Sequence, residues 1–401
     1  MKRITTLLAG IAFALCTNVF AAEKNIDNTT LLSTAISEAS ENDVIILEDG
    51  DYIIDANLEI TKGITIKAKN AKKATLIGVG FSFKTPNIGD VIIKDLVLEG
   101  TKNIDATLTL YVADINGATT LSNVLFENCD INNYGNCMLR ANRAEGTCTS
   151  FKVNNCIIKK MGYSNAYPFF QATKTKFTNS LELTNSTIAD FANEYVQFYG
   201  TVGGNDDAII LFKNNTFYNT VTNEARRPFS GKSGKIYVQN NIFAKSPVHT
   251  SGEISFDKSV TTAELTNNVI FDYANGALLA AAWITKTDNQ ESDPAFKNSA
   301  EYNFTIPEGS SLITLNIGDP RWLKGTLNSL PQLQQDENIQ YSNATITSKH
   351  AATIHIMTLT GKTVLQQSDC TSLSTASLAK GIYLVQVTAN GSTHTQKIVV
   401  R

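Results

Sequence analysis

The sequence predicts an all-β solenoid, a parallel β-helix, and three observations carry that prediction. A short phrase recurs seven times between Val91 and Tyr273, as VIIKDLVL, TTLSNVLF, FKVNNCII, LELTNSTI, IILFKNNTF, IYVQNNIF and AELTNNVI. The polar anchors of these copies are Asp95, Asn123, Asn155, Asn185, Asn214, Asn240 and Asn267, at successive spacings of 28, 32, 30, 29, 26 and 27 residues. The columns flanking the anchor are wholly apolar. Two residues before it stand Ile93, Leu121, Val153, Leu183, Phe212, Val238 and Leu265, and three after it Leu98, Phe126, Ile158, Ile188, Phe217, Phe243 and Ile270. A repeat of this length with strand signals and no helical periodicity marks stacked coils. Alternation that stops at a polar residue and resumes past it describes two short strands meeting at a tight bend. Asn suits the bend because it tolerates left-handed backbone and bonds neighbouring main-chain groups. Coil on coil, at roughly 4.8 Å per step, the anchors are expected to bond one another in a ladder.

The elements follow in chain order. Residues 1–21 read as a signal peptide: Lys2 and Arg3 precede an apolar run from Ile4 to Leu15, and Val19-Phe20-Ala21 supplies small residues for cleavage. A lipoprotein reading of Cys16 is the weaker alternative, because Leu15 stands where a small residue is wanted. From Thr29 to Ser40, apolar residues at Leu31, Leu32, Ala35, Ile36 and Ala39 have helical spacing, which predicts a helix covering the open first coil. Two strands then surround Glu48-Asp49-Gly50-Asp51, a turn too poor in ligands to read as a calcium loop. The parallel β-helix is assigned to residues 22–326. Its repeat fades after Asn267, SDPAF and IGDPRW close it, and Trp322 is expected to cap the last coil. A linker rich in Gln, Asp and Glu occupies 327–340, and 341–401 reads as a small C-terminal β-sandwich with a hairpin turn at Asn390-Gly391.

On these residues the repeats resemble the pectate-lyase-like right-handed parallel β-helix superfamily, where an Asn ladder at such a bend is familiar. More narrowly they resemble secreted Bacteroidetes β-helix families of unknown function, encoded among polysaccharide-utilisation genes. The tail, through Thr360-Gly361-Lys362, Gly381-Ile382-Tyr383 and Lys397 to Arg401, closely resembles the type IX secretion C-terminal sorting domain. That resemblance implies type IX secretion machinery as a partner, and a secreted or cell-surface protein exported through the periplasm. The superfamily holds lyases, hydrolases, esterases, epimerases and non-catalytic proteins, so the resemblance fixes fold more closely than chemistry.

Between anchors a second alignment runs Leu139-Arg140-Ala141, Phe170-Gln171-Ala172, Phe198-Tyr199-Gly200 and Phe229-Ser230-Gly231. With the apolar and small members inward, Arg140, Gln171, Tyr199 and Ser230 project from one stacked strand. Asn142, Thr173, Thr201 and Lys232 stand beside them, and Arg143, Arg226 and Arg227 lie close by in sequence. Such a face suits an acidic polysaccharide, since guanidinium groups grip carboxylates, Tyr stacks on sugar rings and amides bond hydroxyls. The substrate-binding candidates are therefore Arg140, Asn142, Gln171, Tyr199 and Arg226. Elimination from a uronic acid needs a group to neutralise the carboxylate, an Arg or Ca²⁺, and a base, for which Arg140, Tyr199 and Lys232 are the catalytic candidates. The same side chains also read as solvated decoration of an exposed sheet.

Other chemistries are poorly supplied. With 34 basic and 37 acidic residues, net charge −3, the chain has no field to recruit nucleic acid, and a monomer is expected. His249 is the one histidine of the repeat region, which leaves a histidine-based triad without partners. Asp206-Asp207 reads as a turn, and Glu194 and Glu224 stand singly. Beyond the signal region the cysteines are Cys129, Cys137, Cys148, Cys156 and Cys370, an odd count with no metal spacing. Cys129 and Cys156 read as core thiols, and pairing of Cys137 with Cys148 stays open. No cofactor is firmly implied, Ca²⁺ being the one candidate. Two functions remain: a β-helix that binds a polysaccharide, or a polysaccharide lyase.

Overall fold

Short alternating strands broken by left-handed bends fold here as stacked coils of three strands. The computed structural model describes residues 21–198, 208–323 (apart from 248, 251, 253, 258–259 and 274–283) and most of 339–400, apart from 343, 359–362, 380 and 390–391. The first 20 residues of the expected signal peptide, with Cys16, and most of the expected linker lie outside them. The chain divides into two compact units, Met1–Leu323 and Lys324–Arg401.

Three parallel sheets build the first unit among the described residues. The first has 12 strands, running from Glu23–Ile26 to Thr285–Thr287; the second has 10, from Gly50–Ile53 to Gln290–Glu291; the third has 8, from Asn57–Ile60 to Ile254–Phe256. Inward residues of all three meet in one core, where rings repeat from coil to coil. Phe217 and Phe243, for example, stack with centroids 4.7 Å apart and planes 4° from parallel. The predicted helix is α1, Leu32–Glu38, which closes the N-terminal end by burying Leu32, Ala35 and Ile36. Leu31 precedes it and is exposed. The turn at Glu48-Asp49 is a plain one: Glu48 pairs with Lys69 at 2.8 Å, and Asp49 accepts from Asn70 at 3.0 Å.

The anchors adopt left-handed backbone at Asp95, Asn155, Asn185, Asn214, Asn240 and Asn267, as the bend requires. In the second copy the anchor is Asn128, not Asn123, because Phe126 is the residue in register with Ile93 and Val153. Asn123 lies within the strand Thr120–Glu127 and bonds Asp90 at 2.9 Å. A second left-handed column follows at Asn133, Lys160, Asp190, Asn219, Lys245 and Asp272, each five residues past its anchor.

The anchors do bond one another, Asn128 to Asp95 at 2.7 Å and Asn155 to Asn128 and Asn214 to Asn185 at 3.3 Å. The buried ladder, however, stands one residue further on. Asn215, Asn241 and Asn268 donate to Asn241, Asn268 and Asn289 at 3.0, 2.9 and 2.8 Å, and each also donates to a core-facing carbonyl, those of Leu183, Phe212 and Val238. The carboxamide oxygens of Asn215, Asn241 and Asn268 each also accept a backbone N–H of the preceding coil, so these three buried amides are satisfied. Toward the N-terminus the same column holds Ser186, then Cys156 and Cys129, both free and fully buried. Cys137 and Cys148 are free as well.

Trp322 does not cap the end of the helix. It lies on the outer side of the second sheet, where its indole N–H donates to Thr187 Oγ1 at 2.7 Å and its ring meets Phe304 edge-on at 5.7 Å. Asp319 is buried beside it, accepting from Thr187 Oγ1 at 2.6 Å and from the Arg321 backbone at 3.0 Å. The closing segment thereby seals Ile242, Ala244 and Val269, outward residues of the second sheet, beneath Ile306, Leu312, Ile317 and Leu323. No helix among the described residues is long and apolar enough to cross a membrane.

The second unit is antiparallel. Thr345–Met357 pairs with Ile339–Ser342, Thr363–Ser374 and Gly381–Ala389, and the last of these pairs with Ser392–Val400. The final pairing brings Ala389 opposite Ser392, flanking the predicted Asn390-Gly391 turn. Its core is its own, around Ile346, Ile354, Ile356, Val385, Val387 and Ile398.

Candidate functional site

The third sheet carries the face singled out in the sequence. Its inward columns are apolar, for instance Phe81, Ala113, Leu139, Phe170, Val196 and Phe229. Alternation then aims the intervening residues outward, and the register stacks Glu59, Ser82, Asp114, Arg140, Gln171, Gln197, Ser230 and Ser255 in one polar line. Gln197 occupies the place expected for Tyr199. Tyr199 and Thr201 lie outside the described residues.

The centre of the line is an ion pair. Arg140 Nε donates to Asp114 Oδ1 at 2.7 Å, and its Nη2 donates to Asp114 Oδ2, a fork-to-fork contact between side chains that are 7% and 3% exposed. The guanidinium also lies 3.9 Å over the ring of Tyr111, which meets Tyr167 edge-on at 5.5 Å. Burial alone disfavours the charge on Arg140, but the bond to Asp114, its charge and Tyr111 raise the pKa overall. Arg140 is thus a fixed cation whose charge is already matched within the chain. The carboxylate that it grips in this structure is that of Asp114. Gln171 is buried beside it and donates to Gln197 Oε1 at 2.6 Å.

The rim is more open. Arg143, Lys174 and Lys232 are exposed, and Asn142 and Thr173 are half-buried. The backbone N–H groups of Lys174 and Lys232 bond the carbonyls of Ala141 and Phe198, which places both residues just past the ends of their strands. Asn142 Oδ1 has no hydrogen-bond partner among the described residues.

Arg226 does not join the polar line. It belongs to the turns that lead from the second sheet into the third, stacked through Phe169 N to Glu194 O at 2.7 Å, Tyr195 N to Pro228 O at 2.8 Å and Thr250 N to Glu224 O at 2.8 Å. There it accompanies Arg227, Glu194 and His249. Burial raises the pKa of Glu194, and the charges of Arg226 and then Arg227 draw it part of the way back. Burial lowers that of His249, against opposing effects of the Arg226 backbone and the Glu224 charge. His249 Nε2 lies 3.2 Å from Ser246 Oγ. Nothing in the sequence joins Glu194 to His249, since only coil stacking brings residues 55 apart into one set of turns. No cluster of three metal-ligating side chains occurs among the described residues.

Three stacked parallel sheets with an antiparallel tail define an exported parallel β-helix, and comparison with known proteins supplies the terms of that description. Residues 338–401 match the family described as "Secretion system C-terminal sorting domain". The chain therefore carries a sorting domain for type IX secretion, which delivers proteins to the medium or the cell surface. Residues 50–190 match "Domain of unknown function (DUF4957)" and residues 210–322 "Domain of unknown function (DUF5123)". No curated protein matches the sequence. Among solved structures, a mutant of the PL6 family alginate lyase AlyGC is similar at a TM-score of 0.44 and 14% identity, over 73% of this chain and 40% of that one. This chain thus spans less than half the length of that protein.

Proposed function

We propose that the protein, after export through the periplasm, binds an acidic polysaccharide along the third sheet without cleaving it. The observation that carries this reading is the Arg140–Asp114 pair. A cation buried and matched by its own carboxylate holds the sheet's outer line in shape and offers no net charge to a substrate. Binding then falls to the rim, where Arg143, Lys174 and Lys232 attract uronate groups and Asn142 and Thr173 bond hydroxyls. Successive coils are roughly 4.8 Å apart, with Arg143 and Lys174 on neighbouring coils and Lys232 two coils beyond Lys174, so the three follow an extended glycan laid across the strands. Retention of the chain from Ala22 on immobilised alginate and polygalacturonate, with and without Ca²⁺, tests the reading. Lys174→Ala with Lys232→Ala is expected to abolish retention.

The turns support a second reading, a lyase. Glu194 is a buried carboxyl with a raised pKa beside Arg226 and Arg227, so a base and a carboxylate-binding cation stand close together. In that case Glu194 takes the proton α to the uronate carboxyl, the arginines hold the resulting enolate, and the glycosidic oxygen leaves from the β-carbon to give an unsaturated end. Ultraviolet absorbance of such ends, lost in Glu194→Gln, separates this reading from binding alone.

A further inference from the structure

The outward column of the second sheet runs Lys159, Ala189, Tyr218, Ala244 and Phe271. Most of it is roofed by the closing segment: Tyr218 packs on Phe296 at 6.1 Å and Phe304 at 5.2 Å, and Ala244 lies in the cluster around Ile306 and Leu312. Phe271 is the exception. Its side chain is an outward phenyl ring, 38% exposed, on the strand Val269–Tyr273.

Phe271 lines two neighbouring clefts. One, about 430 Å³, also has Asp272, Glu291 and Asp293 in its walls; the other, about 210 Å³, has Asp272 and Asp293 again, with Tyr218, Lys245 and Phe296. The larger is of a size that receives small ligands. Asp272 belongs to the second left-handed column, where earlier members such as Asn219 bond the coil before them. Asp272 and Glu291 make no such side-chain bond among the described residues, and Asp293 spends one carboxylate oxygen on Ala295 N at 2.7 Å.

We infer that this cleft is a second glycan site, built for an uncharged sugar. A flat exposed ring matches the C–H face of a pyranose, and the carboxylates in the same walls accept hydroxyl donors at the sugar's edges. The charge excludes the ligand class proposed for the third sheet: three carboxylates against Lys245 repel a uronate. The site does not depend on the reading given for the third sheet, because it shares no residue with that face.

The test is equilibrium titration of the chain from Ala22 with cellohexaose, mannohexaose, laminarihexaose and a galacturonate hexamer. Saturable binding of at least one neutral hexamer is expected, weakened about tenfold or more by Phe271→Ala and retained in Phe271→Trp. Because the ring is partly exposed, Phe271→Ala should lower the melting point only modestly and leave the chain folded, and Phe271→Trp should melt close to the parent. The Asp272→Asn, Asp293→Asn double variant is expected to weaken the neutral ligand and relieve exclusion of the charged one. Lys174→Ala with Lys232→Ala should leave neutral binding unchanged while it removes retention on acidic glycans, so the two sites fail separately. Absence of binding to every neutral hexamer, or binding that Phe271→Ala leaves intact, overturns the inference.

Discussion

Replacing Arg140 with Ala is expected to act on stability first. The side chains of the pair are 7% and 3% exposed, so the substitution strands the Asp114 carboxylate in a site from which water is excluded. Breaking a buried ion pair from one side costs about 3–5 kcal/mol, and loss of the guanidinium over Tyr111 adds about 1 kcal/mol. Removing both charges with apolar groups of similar volume, Asp114→Leu with Arg140→Met, should instead fall within about 1 kcal/mol of the parent. Urea unfolding of the chain from Ala22, followed by tryptophan fluorescence, gives the three midpoints. Trp322 lies in the β-helical unit and reports on it. The reasoning fails if Arg140→Ala unfolds with the parent while retention on alginate is lost. That result would make the guanidinium a ligand group and the contact with Asp114 incidental.

Three further outcomes follow from the same structure. Asn241→Ala removes the acceptor of Asn215 and the donor to the Phe212 carbonyl, all buried, and should cost about 2–4 kcal/mol; Asn241→Ser should cost less, as Ser186 already serves in that column. Burial raises the pKa of Asp319 from 3.8 to about 6, despite Arg321, Thr187 and the Arg321 backbone N–H. The native state therefore holds the proton more tightly than the unfolded one, and this group's contribution is fully present below 3.8 and is lost as pH rises through about 6, a change on the order of 3 kcal/mol. Asp319→Asn should flatten the urea midpoint over that window, and an unchanged slope would refute the assignment. Finally, burial holds Cys129, Cys137 and Cys148 well above the ordinary thiol pKa, whereas Cys370 is half-exposed. A thiol-disulfide reagent should modify Cys370 rapidly in the native chain and the buried thiols only after denaturation.

Much of the fold was legible because the core writes itself into the sequence once per coil. The apolar positions at Val153, Leu183 and Phe212 have to recur wherever coils share one interior. Register was less secure. Asn123 has Leu121 and Phe126 around it at the right distances, but Asn128 has Phe126 and Ile131, and only the pairing of Phe126 with Ile93 decides between them. The buried ladder was hidden by its own start, since the column holds Cys129, Cys156 and Ser186 before it becomes Asn. The doublets Asn214-Asn215, Asn240-Asn241 and Asn267-Asn268 were the available signal.

In one of its coils the candidate face lies two residues from the expected place, for a packing reason. A rule of small inward residues selects Phe198-Tyr199-Gly200, whereas the structure uses Val196-Gln197-Phe198. The large Phe198 is accommodated because its neighbours in the stack, Ala172 and Gly231, are small. Partnership was the other unreadable quantity. Asp114 lies outside the repeated phrases, so nothing in the sequence set its carboxylate against Arg140.

The central claim is that the third sheet binds an acidic glycan and leaves it whole. Its most direct test is one incubation of the chain from Ala22 with alginate and polygalacturonate, in which retention and the absorbance of unsaturated ends are followed together. The account predicts retention that salt weakens and that Lys174→Ala with Lys232→Ala removes, with no rise in absorbance. A rise that Glu194→Gln abolishes would contradict it and make the protein a lyase.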